Sequence, residues 1–255
     1  MQSPALHRGI DRVLSVQRPV VQAHLRAIRR ANPTASPEQV VRILERRFLA
    51  AVTTGGAAAG ASAAIPAVGT VASIAVSGVE TLGFLEASAL FAQSVAEVHG
   101  VVVDDPDRAR ALVMTMVLGE AGTDLVSQLA GQAIGRGGTK SAFWGETITK
   151  TLPRAAVGQV TDRLRSMFLR RFVTTQGTNV VGRLMPFGIG AVIGGGGNHL
   201  LGRQIVRVSR EGFGPAPSEF AEWLRVVESA ERRAPRLKLP SRKKALPAVP
   251  SSPED

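Results

Sequence analysis

The sequence predicts an all-α protein, a compact helical bundle, and three observations support that fold class. No segment alternates apolar and polar residues with the period of two that a half-buried strand requires. Several segments instead repeat apolar residues at helical spacing, and helix-start signals precede two of them, at Ser36-Pro37 and Asp105-Pro106. Two further segments, 48–79 and 184–202, are uncharged and rich in small residues, which favours close packing of helices.

The first two predicted helices are amphipathic. Residues 11–31 place apolar side chains on one face, and Pro19 either kinks or starts that helix. In the second helix Ser36 is the N-cap, and Gln39 three residues later completes a capping box. The apolar face of the second helix consists of Val40, Ile43, Leu44, Phe48 and Val52.

The remaining helices are predicted from the same periodicity and start signals. A glycine-rich loop at 135–138 separates the earlier ones from the later ones. In order they cover 69–99, 106–119, 124–134, 154–172 and 198–210, with a capped helix after Ser218.

The sequence divides into four predicted regions. We expect an N-terminal amphipathic helix within 1–36, a helical domain at 37–216 and a C-terminal amphipathic helix at 217–234. Residues 235–255 are basic and contain five prolines, a composition that predicts a disordered tail.

Each uncharged segment is interrupted by proline and glycine. Proline disfavours a helical conformation at the residue before it, so each segment predicts a helical hairpin with a hinge rather than one straight helix. The predicted hinge residues are Pro66, Gly69, Pro186, Gly188, Gly190 and Gly194.

The chain is strongly basic, with 31 Lys and Arg against 20 Asp and Glu and a formal net charge of +11. Such a balance indicates an anionic partner: phospholipid headgroups, nucleic acid or an acidic protein. Nucleic acid is not expected, because few aromatic residues are present to stack on bases. The absence of cysteine excludes disulfides and thiolate chemistry.

Two motifs resemble those of the EcsC family of bacterial proteins. The first is IPAVG at 65–69, followed by a helix bearing Glu80 and Glu86; the second is MPFGIGAVIG at 185–194, leading to Asn198. The resemblance covers 40–213 and implies an α-helical, membrane-associated protein, of a family named from an operon that also encodes an ABC transporter. It assigns no catalytic residue. The glycine run at 194–197 and the extension from 220 depart from the family pattern.

The sequence favours hairpins that are buried in the bundle or dipped into one leaflet over helices that span the membrane. Segment 48–79 is long enough to span, yet only nine of its residues are Phe, Leu, Ile or Val, which supply roughly 3 to 5 kcal/mol for insertion. The second segment has Arg183 before it and Arg203 after it, so both flanks favour the same side of the membrane.

Arginines flank both hairpins and are candidates for contact with anionic headgroups. The N-terminus lacks an apolar core of signal-peptide length, so we expect the protein at the cytoplasmic face of the cell membrane, peripheral or monotopic. The candidate surface contacts are Arg42, Arg46, Arg183, Arg203 and Arg207.

Four polar residues border the uncharged segments and form a candidate polar cleft. Glu80 and Glu86 lie on the helix after the first hinge, and Asn198 and His199 follow the second glycine run. A carboxylate beside an apolar hairpin is costly unless it is paired, so such residues often mark a binding site. The alternative is that both glutamates face water or pair with arginine.

No motif predicts a cofactor, a metal or a catalytic residue. The pattern at 188–194 matches a loose dinucleotide loop, but no strand precedes it. The loop at 135–141 lacks the Gly-Lys step of a phosphate loop, and the four histidines are scattered without metal-ligand spacing.

These observations favour a non-enzymatic, membrane-associated helical protein, an accessory to a transporter or other membrane complex. A soluble helical module that shelters an acyl chain between small-residue helices is the alternative. An enzyme using Glu80 and Glu86 as acid and base is a distant third, because residues six apart on a helix point in different directions.

Overall fold

A computed structural model describes residues 18–62, 70–134, 144–182 and 189–225 of the chain. All regular secondary structure in these four ranges is helical, which confirms the predicted all-α fold class. The helices are α1 (Arg18–Ala31), α2 (Pro37–Ser62), α3 (Thr70–Val98), α4 (Pro106–Leu118), α5 (Glu120–Ile134), α6 (Trp144–Glu146), a π-helix (Thr147–Thr151), α7 (Arg154–Gly182) and α8 (Ile189–Phe213).

The helix-start signals read from the sequence are present as hydrogen bonds. The Ser36 N–H donates to Gln39 Oε1 at 2.8 Å and the Gln39 N–H donates to Ser36 Oγ at 3.3 Å, a complete capping box. Asp105 caps α4 by accepting from the Asp107 N–H at 2.8 Å. Gly119, with φ of 67°, separates α4 from α5, where only glycine adopts that backbone conformation without strain.

Some helix bounds differ from the prediction. The predicted helix at 11–31 is described from Arg18 onward, as α1, and its residues 11–17 lie outside the described ranges. Helix α8 begins at Ile189, nine residues earlier than expected, and therefore includes the glycine run. Low intrinsic helix propensity is outweighed there by packing against α2. Outside the described residues lie the loop at 135–138, the tail at 235–255, the surface candidate Arg183 and the hinge residues Pro66, Gly69, Pro186 and Gly188.

The core is built around the second half of α3. Every residue from 91 to 98 on this helix is buried, as expected of a helix surrounded by neighbours on all sides. Phe91 stacks on Phe48 of α2 with ring centroids 4.7 Å apart. The predicted apolar face of α7 also points inward, through Val157, Val160, Leu164 and Phe168.

Helices α2 and α8 run antiparallel and approach each other through glycine. A Cβ atom added to Gly56 would lie 2.5 Å from the Gly194 carbonyl oxygen, and one added to Gly194 would collide with the Gly56 carbonyl. Further along the pair, Gly202 faces Leu49 and Val52. The backbones are therefore close enough that no side chain fits between them at this crossing.

Two buried carboxylates are each paired with an arginine from another helix. Glu45 of α2, with a side chain 8% exposed, accepts from Arg210 of α8 at 2.7 and 2.6 Å. Glu97 of α3, with a side chain 4% exposed, accepts from Arg18 of α1 at 2.6 Å. These hydrogen bonds raise the pKa of both arginines, and they offset the cost of removing the carboxylates from water.

None of the helices in the described ranges combines the length and the apolar character that crossing a membrane requires.

The glycine crossing predicts opposite effects for two substitutions in one run. Gly194→Ala should lower the free energy of unfolding by about 1–3 kcal/mol, because its methyl group meets the backbone of α2. Gly197→Ala should raise it by up to about 1 kcal/mol, because nothing lies within 4 Å of the added methyl and alanine favours helix. Urea unfolding followed by circular dichroism measures both, and equal effects would contradict the close approach.

The Glu45–Arg210 pair predicts a second contrast. Arg210→Ala should lower the free energy of unfolding by roughly 1–3 kcal/mol, since it leaves the buried Glu45 carboxylate without its charged partner. Arg207→Ala, one turn earlier on α8 and exposed, should change it by less than about 0.5 kcal/mol. Thermal unfolding of both variants at one pH tests the pair; an equally mild Arg210→Ala would show that the bond contributes little.

Candidate functional site

A polar cluster joins α2, α3 and α8 beside the glycine crossing of α2 and α8. Asn198 of α8 is half-buried and lies beside the glycine crossing. Its side-chain Nδ2 donates to the Val52 carbonyl of α2 and to Glu80 Oε1 of α3, both at 3.2 Å. One amide therefore connects three helices.

His199 of α8 adds a second contact between the cluster and α2. The Thr53 hydroxyl donates its single proton to the Leu49 carbonyl at 2.6 Å, and His199 Nδ1 lies 3.0 Å from the same hydroxyl oxygen. Because that oxygen has no second proton to donate, Nδ1 carries the hydrogen and donates to it. In the neutral ring, Nε2 is then the nitrogen with a free lone pair.

The structure brings together three of the four residues proposed for the polar cleft. Glu80, Asn198 and His199 lie at one junction of helices and are half-buried. Glu86 is exposed, more than one turn further along α3, so it is not shielded with the others. Thr53 and the Val52 carbonyl complete the cluster and were not predicted, because their roles depend on the register between α2 and α8.

The chemistry of the cluster is that of a hydrogen-bonded connection between helices. It contains a carboxylate, an amide, a hydroxyl and an imidazole. Within the four described ranges no group of three His, Cys, Asp or Glu residues is placed to hold a metal ion. The bonds of Asn198 and His199 run to neighbouring helices, so both residues stabilise the junction.

Exposed apolar residues lie next to this junction in the chain, one residue before Glu80 and one and two residues after His199. Val79 of α3 is 72% exposed, and Leu200 and Leu201 of α8 are 68% and 46% exposed. We call these exposed residues together the uncharged end. It also includes the exposed small residues of α2 and α8, which are Ala50, Ala51, Thr54, Gly55, Ala58, Ala61, Gly196 and Gly197.

Arginines follow the uncharged end on both helices of the antiparallel pair. Arg203 and Arg207 of α8 are exposed and come two and six residues after Leu201. Arg42 and Arg46 of α2 are also exposed, and Arg42 Nη1 forms an ion pair with Glu38 at 2.8 Å. Since Gly202 faces Leu49 and Val52, the arginines of the two helices lie at similar heights along the pair.

The neighbouring arginine Arg47 is exposed on the same stretch of α2. Burial lowers the pKa of His24 on α1, and the positive charge of Arg47 lowers it further. The positive charge of Arg47 on α2 therefore acts on a titratable group of α1.

Sequence reasoning did not single out Leu200 and Leu201 as exposed. The available signal was their position shortly before Arg203, on a helix whose inward face holds Asn198 and Gly202. Of the two remaining hinge candidates, Gly194 lies at the α2 crossing and Gly190 lies within α8, so both belong to the helix in this structure.

The Asn198–Glu80 bond predicts an energetic coupling. In a double-mutant cycle, Asn198→Ala and Glu80→Ala should show a coupling of about 1 kcal/mol, because each removes the partner of the other. The matched cycle of Asn198→Ala with Glu86→Ala should show a coupling near zero, since Glu86 is exposed. Urea unfolding of the single and double variants measures both, and equal coupling would contradict the assigned bond.

Comparisons of the chain with models of known protein families, with curated proteins and with solved structures find no match. The resemblance to the EcsC family therefore rests on the motifs at 65–69 and 185–194 and stays a prediction.

Proposed function

We propose that this protein is a non-enzymatic, membrane-associated helical protein that attaches to the cytoplasmic face of the membrane by its uncharged end. The observation that carries the proposal is the exposure of Leu200 and Leu201 on α8, with the exposed Arg203 and Arg207 two and six residues after Leu201. Apolar side chains followed by arginines match the two layers of a bilayer surface, acyl chains and then phosphates.

The apolar part supplies the first contribution. Leu200 and Leu201 expose most and about half of their surface, so burial in lipid would contribute about 1–2 kcal/mol each. Val79 and the small residues of α2 widen the surface without adding charge. An uncharged surface of this kind enters the interfacial region at low cost.

The arginines supply the second contribution. Each cationic side chain near an anionic membrane surface contributes on the order of 1 kcal/mol. Arg203 and Arg207 come two and six residues after Leu201, and Arg42 and Arg46 come before Ala50 on α2, so phosphates above a membrane-inserted uncharged end would meet them. Together the two contributions favour reversible attachment, which suits a peripheral or monotopic protein.

The polar cluster supports a non-enzymatic reading. The side chains of Asn198 and His199 form hydrogen bonds to α2 and α3, and these bonds hold together the helices that carry the uncharged end. We propose a membrane complex, such as the transporter suggested by the family resemblance, as the protein partner.

Vesicle binding tests this proposal. The full chain should sediment with vesicles of phosphatidylglycerol and phosphatidylcholine at low salt and should dissociate as salt rises. Leu200→Ser with Leu201→Ser should weaken binding by about tenfold or more, whereas Val20→Ser, an exposed valine of α1, should not change it.

The arginines need a charge-matched control. Arg203→Gln with Arg207→Gln should weaken binding to the anionic vesicles more than Arg163→Gln with Arg225→Gln, exposed arginines of other helical segments. A chain that stays in solution with anionic vesicles at low salt would rule the proposal out.

A further inference from the structure

A groove lies between the end of α1 and the first turns of α2. The loop at 31–35 forms one wall, and Gln39, Arg42, Ile43 and Arg46 of α2 form the other. Its volume of about 500 Å³ lies within the range of small-molecule sites, roughly 300–1,000 Å³. None of these lining residues is acidic. We call it the α1–α2 groove.

The lining of the α1–α2 groove offers hydrogen-bond donors. Arg42 and Arg46 are spaced i, i+4 on α2, so their guanidinium groups emerge from one face of the helix. Gln39 accepts the Ser36 N–H through Oε1, so its NH₂ is left to donate. Thr34 adds an exposed hydroxyl.

Two carbonyls of the loop wall already accept hydrogen bonds from a buried arginine. The buried side chain of Arg29 donates to the carbonyl of Ala35 at 2.8 Å and to that of Asn32 at 3.4 Å. Asn32 in turn donates its side-chain NH₂ to the Ile28 carbonyl at 3.0 Å. The lining carries the positive charge of Arg42 and Arg46 and no acidic residue, which favours an anionic ligand.

We propose that the α1–α2 groove binds a phosphate-bearing ligand between Arg42 and Arg46. Guanidinium groups bind phosphate oxygens through pairs of parallel hydrogen bonds, and two arginines one turn apart can hold one phosphate from two sides. The volume of the groove leaves room for the alcohol attached to the phosphate. The ligand is either the headgroup of a phospholipid or a free phosphoester.

Binding of a phospholipid headgroup in the groove rests on the proposed membrane attachment, whereas binding of a free phosphoester does not. Arg46 lies four residues before Ala50, where the uncharged end begins on α2. At a rise of 1.5 Å per residue this is about 6 Å along the helix. A membrane that covers the uncharged end would bring its phosphates to the mouth of the groove.

Glu38 limits the affinity of the groove. Its carboxylate pairs with Arg42 Nη1 at 2.8 Å and competes with a ligand phosphate for that guanidinium. Both side chains of the pair are more than half exposed, so the pair is weak and a ligand can displace it. Removing the carboxylate should therefore strengthen binding.

The test uses glycerol phosphate as the soluble probe and vesicles of phosphatidic acid in phosphatidylcholine as the lipid probe. Arg46→Gln should weaken binding to at least one probe by about tenfold. Arg47→Gln is the matched control, because this exposed arginine is adjacent but does not line the groove. Glu38→Gln should strengthen binding by about threefold. Calorimetry and co-sedimentation give the affinities, and thermal unfolding confirms that each variant is folded.

The outcomes distinguish a free phosphoester from a lipid headgroup, and they distinguish ligand binding in the groove from membrane attachment. Arg46-specific loss with glycerol phosphate supports a free phosphoester, and Arg46-specific loss with vesicles alone supports a headgroup. If the chain ignores all vesicles but binds glycerol phosphate through Arg46, the groove stands and membrane attachment fails. Equal losses for Arg46→Gln and Arg47→Gln, or no binding to either probe, overturn the groove.

Discussion

The arrangement of this protein depends on how closely α2 and α8 approach each other. Glycine at 56 and 194 removes the side chains that would otherwise separate the two backbones. The approach lets Asn198 reach the Val52 carbonyl of α2 while it also holds Glu80 of α3. The uncharged end and the arginines that follow it keep their positions because this junction of three helices is fixed.

Charge inside the bundle is distributed in a consistent way. Glu45 and Glu97 are buried, and each accepts from an arginine on a different helix, Arg210 and Arg18. Such pairs gain little net free energy, because removing a charge from water costs about as much as the attraction returns. The two ion pairs do disfavour other packing registers of the helices, since a shift of one residue would leave a buried carboxylate without its arginine. The remaining arginines of α2 and α8 are exposed, and Arg42 among them pairs with the exposed Glu38.

Local features were predictable from the sequence, and contacts between distant segments were not. The capping box at Ser36 and the cap at Asp105 involve neighbours in the chain, so residue type and spacing suffice to identify them. The Asn198–Glu80 bond joins residues 118 positions apart, and its existence depends on helix register. The sequence did indicate that both residues border the uncharged segments. It overlooked the exposed Leu200 and the early start of α8, because neighbouring helices decide burial and helix length there.

The four glycines at 194–197 have unequal surroundings. Two face α2, where any larger residue would meet backbone or a neighbouring side chain, and two face open space. No neighbouring atom requires glycine at Gly196 or Gly197. Glycine at these two positions still lowers the helix propensity of this stretch. The first turns of α8 therefore owe their helical state to their neighbour. Any event that parts the two helices would also unwind this stretch, so the polar junction, Leu200 and Leu201 would be lost together as one unit.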